Sequence, residues 1–497
     1  MLAKESRGTK SRKPRWASIG RRDMLKLAAA AGAMAFTGLP AKRGWGTSAI
    51  PVLPNKPYAG ATLQVLAPRM GFTDTTAKFL GEFEALTGIK VRYDLYSFPD
   101  GYQKAGVELA AGTGAYDVVW AENMEIPQYG KAGWIEPLDT FLNDRKYTDL
   151  DQFKPDEIPA GPLDSYRLDW KLYGLPFHAG CCIVYYRTDV VGKYGFKAAP
   201  DTFDEFLEIA KKIHTKEIPA VALRGARGRD NNMWIYPTFF NGFGAKWFKD
   251  YPKDMHPTVD SPEAVRSLEY FCTVAGDYGI PNAASANFDD IILAIQEGKA
   301  AMTIDGAPLG SRFLDPVKSR FVDQLDVALV PKGPAGRFPP LNAHGWTIAK
   351  ASKKKEAAWE FLKWSASPEV HLKAAVEGWH VSVMRNSVWK HPDFVKKYGF
   401  KGGKYLSLFN ETLRIGSALY RPPIPEWARM GERFSVSVNE ALTKQKKPAQ
   451  AMKELQEDLF KLFKEGCRPL QSVSSETPAR PLEWPGRGLL ATGDNRG

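Results

Sequence analysis

Cysteine is scarce in this chain: four residues in 497, at Cys181, Cys182, Cys272 and Cys467. None forms a CxxC pair and no histidine cluster accompanies them, so the zinc-ribbon and zinc-finger classes are excluded. Four cysteines over this length are not a disulfide framework either. A Cys272–Cys467 pair in an oxidising compartment and buried free thiols both remain open. Long apolar runs are missing as well. The run of most interest, Leu27 to Leu39, holds 13 residues; as a helix it spans roughly 20 Å, against a bilayer core of about 30 Å. Catalytic signatures are absent: there is no GxSxG, no HExxH and no GxxxxGK[ST]. The glycines of "GTGAYD" follow a helical pattern and do not make a dinucleotide fingerprint. None of the seven histidines sits in a recognisable nucleophile or metal arrangement. An excess of positive charge on the body of the chain is also lacking. The net charge is +12, but residues 1–50 hold 11 Lys and Arg against two acidic residues, leaving 57 basic and 54 acidic residues elsewhere. A nucleic-acid-binding protein concentrates its charge on the folded domain, so that class is set aside.

The N-terminal stretch "GRRDMLKLAAAAGAMAFTGLPA" places Arg21 and Arg22 before the short Ala- and Gly-rich run. A basic leader, a short apolar core and a small-residue patch make a secretory signal. The patch is Thr47-Ser48-Ala49, or alternatively the "LPA" ending at Ala41. The string Arg21-Arg22-Asp23-Met24-Leu25-Lys26 resembles the twin-arginine export signal, with Gly20 and Met24 departing from its usual residues. An ordinary secretory signal is the alternative. No cysteine follows before Cys181, so no lipid-attachment site is expected. Residues 1–49 are read as the signal peptide, the mature protein as soluble and periplasmic, and residues 467–497, rich in Pro, Ser, Gly and Arg, as a disordered tail.

From residue 60 onward helix and strand signals alternate. "ATLQVLAP" reads as a strand stopping at Pro68. "TAKFLGEFEALTG" puts Phe79, Leu80, Phe83 and Leu86 on one helical stripe, with Gly88 as C-cap. "IKVRYDLY" alternates with period two. A helix, a Gly turn and a buried strand ending at Trp120 follow, completing the βαβαβ pattern of an α/β domain. "KLYGLPFHAGCCIVYYRTDV" reads as a short strand, a break at Pro176 and a second strand. Thr202 and Glu205 form a capping box, and Ser261-Pro262 and Ser367-Pro368 are N-caps with Pro at the first helical position. In the last helix Met452, Leu455, Leu459 and Leu462 share a face. The stripe Trp359, Phe361, Leu362, Trp364 reads as core.

The chain is 12% aromatic with 14 Trp. Trp120, Phe177 and Trp346 fall where strands end; Trp234, Trp379 and Trp427 fall in polar loops. In open α/β sheets ligands bind beyond the carboxyl ends of strands. A sugar offers an apolar C–H face to an aromatic ring and a rim of hydroxyls to polar side chains. Trp120, Glu122 and Asn123 supply both within four residues.

In order and spacing, "FEALTGIKVRY", "YDVVWAENMEIPQYGKAGWIEPLD", "KLYGLPFHAGCCIVYYRTDV", "AIQEGKAAMTIDG" and "HGWTIAKASKKKEAAWEFLKWSASPEV" resemble the extracellular solute-binding proteins of ABC importers. They are similar in particular to the carbohydrate-binding family that includes maltose-binding protein. The resemblance covers nearly all of residues 60–466. It implies a two-lobed α/β fold, each lobe a mostly parallel sheet flanked by helices, with the ligand cleft between. It divides the chain into 50–178 and 330–379 for lobe one, and 179–329 and 380–466 for lobe two. The ligand-binding positions it implies are Phe72, Trp120, Glu122, Asn123, His178, Asn232, Trp234, Asp305 and Trp427, with Trp346 and Arg385 as additions. No acid precedes Cys181 in "PFHAG", where some maltodextrin binders carry a carboxylate, so a smaller sugar or a polyol is implied. No catalytic residue, metal or cofactor is expected. The expected partners are the membrane permease subunits and the twin-arginine export machinery, and the expected state is monomeric. Three other readings stay open, one of them the same fold binding an amine-containing solute. Arg224, Arg227 and Arg229 in "RGARGRD" would suit an anionic ligand, and a glycosidase-like carboxylate pair would suit a secreted carbohydrate-active enzyme.

Overall fold

The computed structural model describes residues 50–466. The leader, the C-terminal tail and Cys467, with its pairing to Cys272, lie outside these residues.

Seven strands form one sheet: β1 (Thr62–Pro68), β2 (Lys90–Tyr96), β3 (Val118–Glu122), β4 (Leu175–Arg187), β5 (Met302–Gly306), β6 (Leu325–Leu329) and β7 (Leu341–Ile348). β1 pairs in parallel with β2 and with β3. β3 meets β7 antiparallel, and β7 meets the first part of β4, Leu175 to Cys181. The second part of β4 changes partners: Cys182 to Tyr186 pair with β5, and Ile183 to Arg187 with β6. One 13-residue strand therefore runs through two halves of the sheet. Every residue of β4 is buried except His178, which keeps partial exposure.

A break at Pro176 is not what forms. Pro176 faces Gly345 and His178 faces His344, and the register shifts between these two pairs. Phe177 is the extra residue of a bulge. Proline has no N–H to donate, and a bulge is where a strand tolerates that loss. β3 likewise continues two residues beyond Trp120 and carries Glu122 as its last member.

The helix signals behave as local chemistry requires. Thr202 Oγ1 accepts from the Glu205 N–H at 3.1 Å, and the Glu205 carboxylate accepts from the Thr202 N–H at 3.2 Å, opening the helix Phe203–Ile213. Ser261 and Ser367 cap Pro262–Phe271 and Pro368–Glu377 through the N–H groups of Ala264 and Val370. Gly88 ends Leu80–Thr87 at φ 73°, a left-handed position that glycine occupies without Cβ strain. The stripe on that helix is only partly buried: Phe79 and Phe83 are inside, but Leu86 is exposed. Trp359, Phe361, Leu362 and Trp364 are core, and Met452, Leu455, Leu459 and Leu462 pack the last helix, Pro448–Gly466, onto the second half. Replacing Thr202 by Ala should lower stability by about 1 kcal/mol. It should appear as a lower denaturant midpoint with unchanged slope in equilibrium unfolding.

Candidate functional site

Glu122 ends β3 with no exposure at all. An ionised carboxylate buried this way needs counter-charge and hydrogen bonds. Its Oε1 accepts from Arg421 Nη2 at 2.8 Å, and its Oε2 accepts from Tyr102 Oη at 3.2 Å and from Arg229 Nη2. Arg229 Nη2 also donates to Glu125 Oε1, while Glu125 Oε2 accepts from the Glu122 N–H at 2.8 Å. The Arg229 guanidinium lies 3.9 Å over the Tyr102 ring, and that of Arg421 lies 4.5 Å over Tyr420. Tyr102, Glu122 and Glu125 come from the first half of the sheet, through the helix Phe98–Ala111 and the end of β3. Arg229 precedes the helix Asn232–Gly242, and Arg421 follows the turn Ala418–Tyr420. The ion pairs thus bind elements on opposite sides of the junction.

The same geometry sets the acidities. Burial opposes ionisation of Glu122, but Arg229 and then Arg421 outweigh it and hold the carboxyl at about 2. Burial dominates at Glu125 and, against Arg229 but with Glu122, raises it to about 7. Burial pushes Asp230 up as well.

Beside this network runs a seam of histidines. His344 Nδ1 accepts from Trp120 Nε1 at 3.2 Å, which requires the neutral ring. The rings of His178 and His344 lie 5.4 Å apart, and those of His178 and His380 5.5 Å apart. Burial lowers His344 to about 4 and His380 to about 3, and lowers His178 well below the usual range with help from both neighbours. Among the described residues no group of three His, Cys, Asp or Glu is placed to hold a metal ion.

Across the junction, Asp305 on β5 is fully buried and takes both Arg224 Nε and Nη2, the first at 2.9 Å. Arg224 Nη1 donates to the Asp230 carbonyl at 2.6 Å. Trp234 meets Tyr420 edge to face at 5.8 Å, and Arg421 lies 5.5 Å over Trp427. Four buried polar atoms here have no hydrogen-bond partner: His178 Nδ1, Arg229 Nε, Arg421 Nε and Tyr420 Oη. Buried polar groups are nearly always satisfied, and among the described residues seven further buried side-chain atoms, Thr238 Oγ1 and Thr303 Oγ1 among them, also lack a partner.

The structure gathers Trp120, Glu122 and His178 on one side and Trp234, Asp305 and Trp427 on the other. Phe72 stacks on Phe177 at 4.9 Å and touches His380, behind the seam. Asn123 and Asn232 have framework partners: Asn123 Oδ1 accepts from the Ala343 N–H at 3.0 Å, and the Asn232 amide bonds Ser435. Trp346 Nε1 donates to Ser365 at 2.8 Å inside the first half. Arg385 donates to the carbonyls of Ala366, Phe153 and Lys154, apart from the junction. The sequence reading omitted Tyr102, Glu125, Asp230, His344, Tyr420 and Arg421. It weighed Arg229 only as an anion contact. The Glu122-x-x-Glu125 spacing at a strand end was the one available signal.

A strand shared by two half-sheets, with charged and aromatic groups facing each other beside it, defines a two-lobed solute-binding fold. Residues 54–371 match the bacterial extracellular solute-binding protein family, and the chain belongs to it. It is 27% identical to the mannitol-binding protein of Pseudomonas aeruginosa, over 53% of this chain and 59% of that one. It is 26% identical to the erythritol/L-threitol-binding protein of Mycolicibacterium smegmatis, over 75% and 82%. An Agrobacterium vitis solute-binding protein solved with bound D-mannitol superposes with a TM-score of 0.70 at 27% identity, covering 82% of this chain and 99% of that one. Among the described residues no helix is long and apolar enough to cross a membrane.

The neutral ring at His344 has a consequence for acid stability. Its ordinary value near 6.5 is lowered in the fold, so the unfolded chain binds the extra proton first. The His344 contribution should fall by about 3 kcal/mol as pH drops from about 6.5 towards 4, with His178 and His380 acting in the same sense and the raised Glu125 opposing them. The His344→Gln variant should show a shallower loss across that window in denaturant titrations at fixed pH values.

Proposed function

We propose that the protein is the solute-binding component of an ABC importer and that it captures a neutral sugar or polyol between its lobes. The observation that carries this is the charge balance of the junction. Arg224 is matched by Asp305, Arg229 by Glu122 and Glu125, and Arg421 by Glu122. What remains open is polar but neutral in demand: two guanidinium Nε–H donors, a phenol and an imidazole nitrogen. Hydroxyl groups, which both donate and accept, answer that set. The names of the mannitol-binding and erythritol/L-threitol-binding relatives, and the D-mannitol bound in the Agrobacterium vitis structure, point the same way.

The anionic alternative loses its support here. Arg224 and Arg229 are committed to carboxylates, and Arg227 donates to Asn439 Oδ1 at 3.1 Å. The enzyme alternative draws on the separated acidities of Glu122 and Glu125, the signature of an acid and a base. Arg229 spans both carboxylates, however, and Arg421 takes the other oxygen of Glu122, so neither is left free for proton transfer. We therefore read the protein as a binder without turnover.

In this reading residues 50–178 with 330–379 form one lobe and 179–329 with 380–466 the other, and they close about β4. Ligand stabilises the closed form by its differential affinity, and that form docks on the permease. The protein works as a periplasmic monomer after twin-arginine export.

A thermal-shift and calorimetric screen over sugars, polyols and sugar phosphates tests this. A ligand at about 100 times its Kd should stabilise the protein by about 2.7 kcal/mol, and its affinity should not change between low and high salt. Affinity that belongs to anions and weakens with salt would overturn the proposal, as would conversion of an oligosaccharide. Arg421→Ala should lower affinity by at least about 10-fold, since the variant leaves Glu122 short of counter-charge, with the circular dichroism spectrum retained. Replacing Arg21 and Arg22 by Lys should hold the protein in the cytoplasm, read by cell fractionation. Continued export would favour the ordinary secretory route.

A further inference from the structure

Trp170 is 75% exposed, and its indole makes no ring contact and no hydrogen bond with the described residues. It stands at the tip of a hairpin whose two short strands, Arg167–Leu168 and Lys171–Leu172, are joined by Asp169 and Trp170 alone. Both turn residues have positive φ, 47° and 67°. A two-residue turn of this kind matches the twist of its strands, and asparagine or aspartate followed by glycine builds it at least cost. Asp169 fits that rule. Trp170 stands where glycine is favoured, and its Cβ strains the left-handed backbone. Arg167 Nη1 donates to the Trp170 carbonyl at 3.4 Å, a backbone contact that any residue could accept. No burial of the side chain offsets the strain. A strained backbone under an exposed aromatic ring points to a use for the ring outside the chain.

What the ring meets follows from its surroundings. β4 enters the sheet at Leu175, just after the hairpin, and runs on to His178 and the junction. The hairpin therefore lies at the entry end of this strand, away from the ion pairs of Glu122, where a partner does not touch the groups that join the lobes. Leu168 packs on the helix Ile126–Lys131: a Cβ built on Gly130 would lie 2.6 Å from Leu168 Cδ2, which makes Lys131 a neighbour. The turn after β7 is tied to the same corner by the Lys350 N–H, which donates to the Trp134 carbonyl at 2.8 Å. Lys131, Lys171 and Lys353 are exposed there and enter no ion pair among the described residues. The acids beside them are engaged: Asp164 with Arg167, Glu136 with Lys350 and Lys355, and Asp139 as acceptor from the Leu172 N–H. Asp169 is left against three ammonium groups. Indole rings settle at the headgroup level of a bilayer, and ammonium groups are drawn to anionic headgroups. We propose that this corner makes a reversible contact with an anionic lipid surface. Trp170 enters the headgroup layer, and Lys131, Lys171 and Lys353 meet the lipid phosphates. One ring and three lysines give weak, exchanging association rather than anchorage. The contact holds a solute binder beside the membrane with its junction uncovered, whichever solute it takes.

The mature chain, residues 50–497 without the apolar leader, is sedimented with vesicles of phosphatidylcholine alone and of phosphatidylcholine with phosphatidylglycerol. Binding should favour the anionic vesicles and weaken as salt is raised. Trp170→Gly should lower the partition coefficient by about 10-fold or more, yet raise the thermal midpoint, because glycine relieves the turn. Changing Lys131, Lys171 and Lys353 together to Gln should lower it by about 100-fold, at about 5-fold per lysine. Both variants should keep the solute affinity of the wild type. Equal partition of wild type and Trp170→Gly, or no binding of the wild type to anionic vesicles, overturns the proposal. So does a Trp170→Gly protein that keeps its lipid binding but no longer stimulates the permease ATPase, a result that would assign the ring to a protein partner. None of these outcomes alters the proposed function, which the solute screen decides.

Discussion

Glu122 is buried at the end of a buried strand, and its charge can be kept there only if cations come to it. Desolvation of a lone carboxylate costs several kcal/mol, and the first half of the sheet supplies Tyr102, a second acid at Glu125 and the neutral His344 that faces it from β7, but no arginine or lysine bonded to it. The two arginines come from across the junction, from a loop 107 residues later and a turn 299 residues later. That single requirement brings the two lobes into register. It also orients Tyr102, Tyr420 and Trp427, whose rings lie under the guanidinium groups.

The second constraint is mechanical. β4 is a single strand whose early residues bond one half-sheet and whose later residues bond the other. The segment around Ser382 lies beside it, with Ser382 bridging the N–H and carbonyl of Ala179, and His380 Nε2 lies 3.0 Å from the Phe177 carbonyl. Both contacts sit at or beside the bulge, where the ladder is irregular. A bulge bends its strand and disrupts the ladder locally, and His178 and His380 are carried by these same two segments.

Much of the architecture was legible residue by residue. Thr202 with Glu205, Ser261, Ser367 and Gly88 act through atoms a few residues away, so their signals survive in the linear chain. The period-two and 3.6 patterns located most strands and helices because burial of one face imposes them. Pro176 misled, since whether proline breaks a strand or sits in a bulge depends on its neighbour, here Gly345 of a distant strand. The Leu80–Thr87 stripe misled in part, because no element covers Leu86.

The site itself was less legible. Strand ends and crossings mark Trp120, Glu122 and His178 in the linear chain as candidate positions. The Trp120 ring lies against Tyr102, with centroids 4.6 Å apart, and that contact has no signal in the linear chain. Arg229 was visible as a charge but not as a counter-ion, and Arg421 carried no signal. The sequence by itself determined the family, the alternating α/β order and the local caps, all of which rest on near neighbours and on segment order. Only the tertiary structure decided which arginine neutralises which acid, which aromatic faces stay open and which polar atoms lack partners. Those are properties of distances between residues far apart in the chain, and a linear pattern does not encode them.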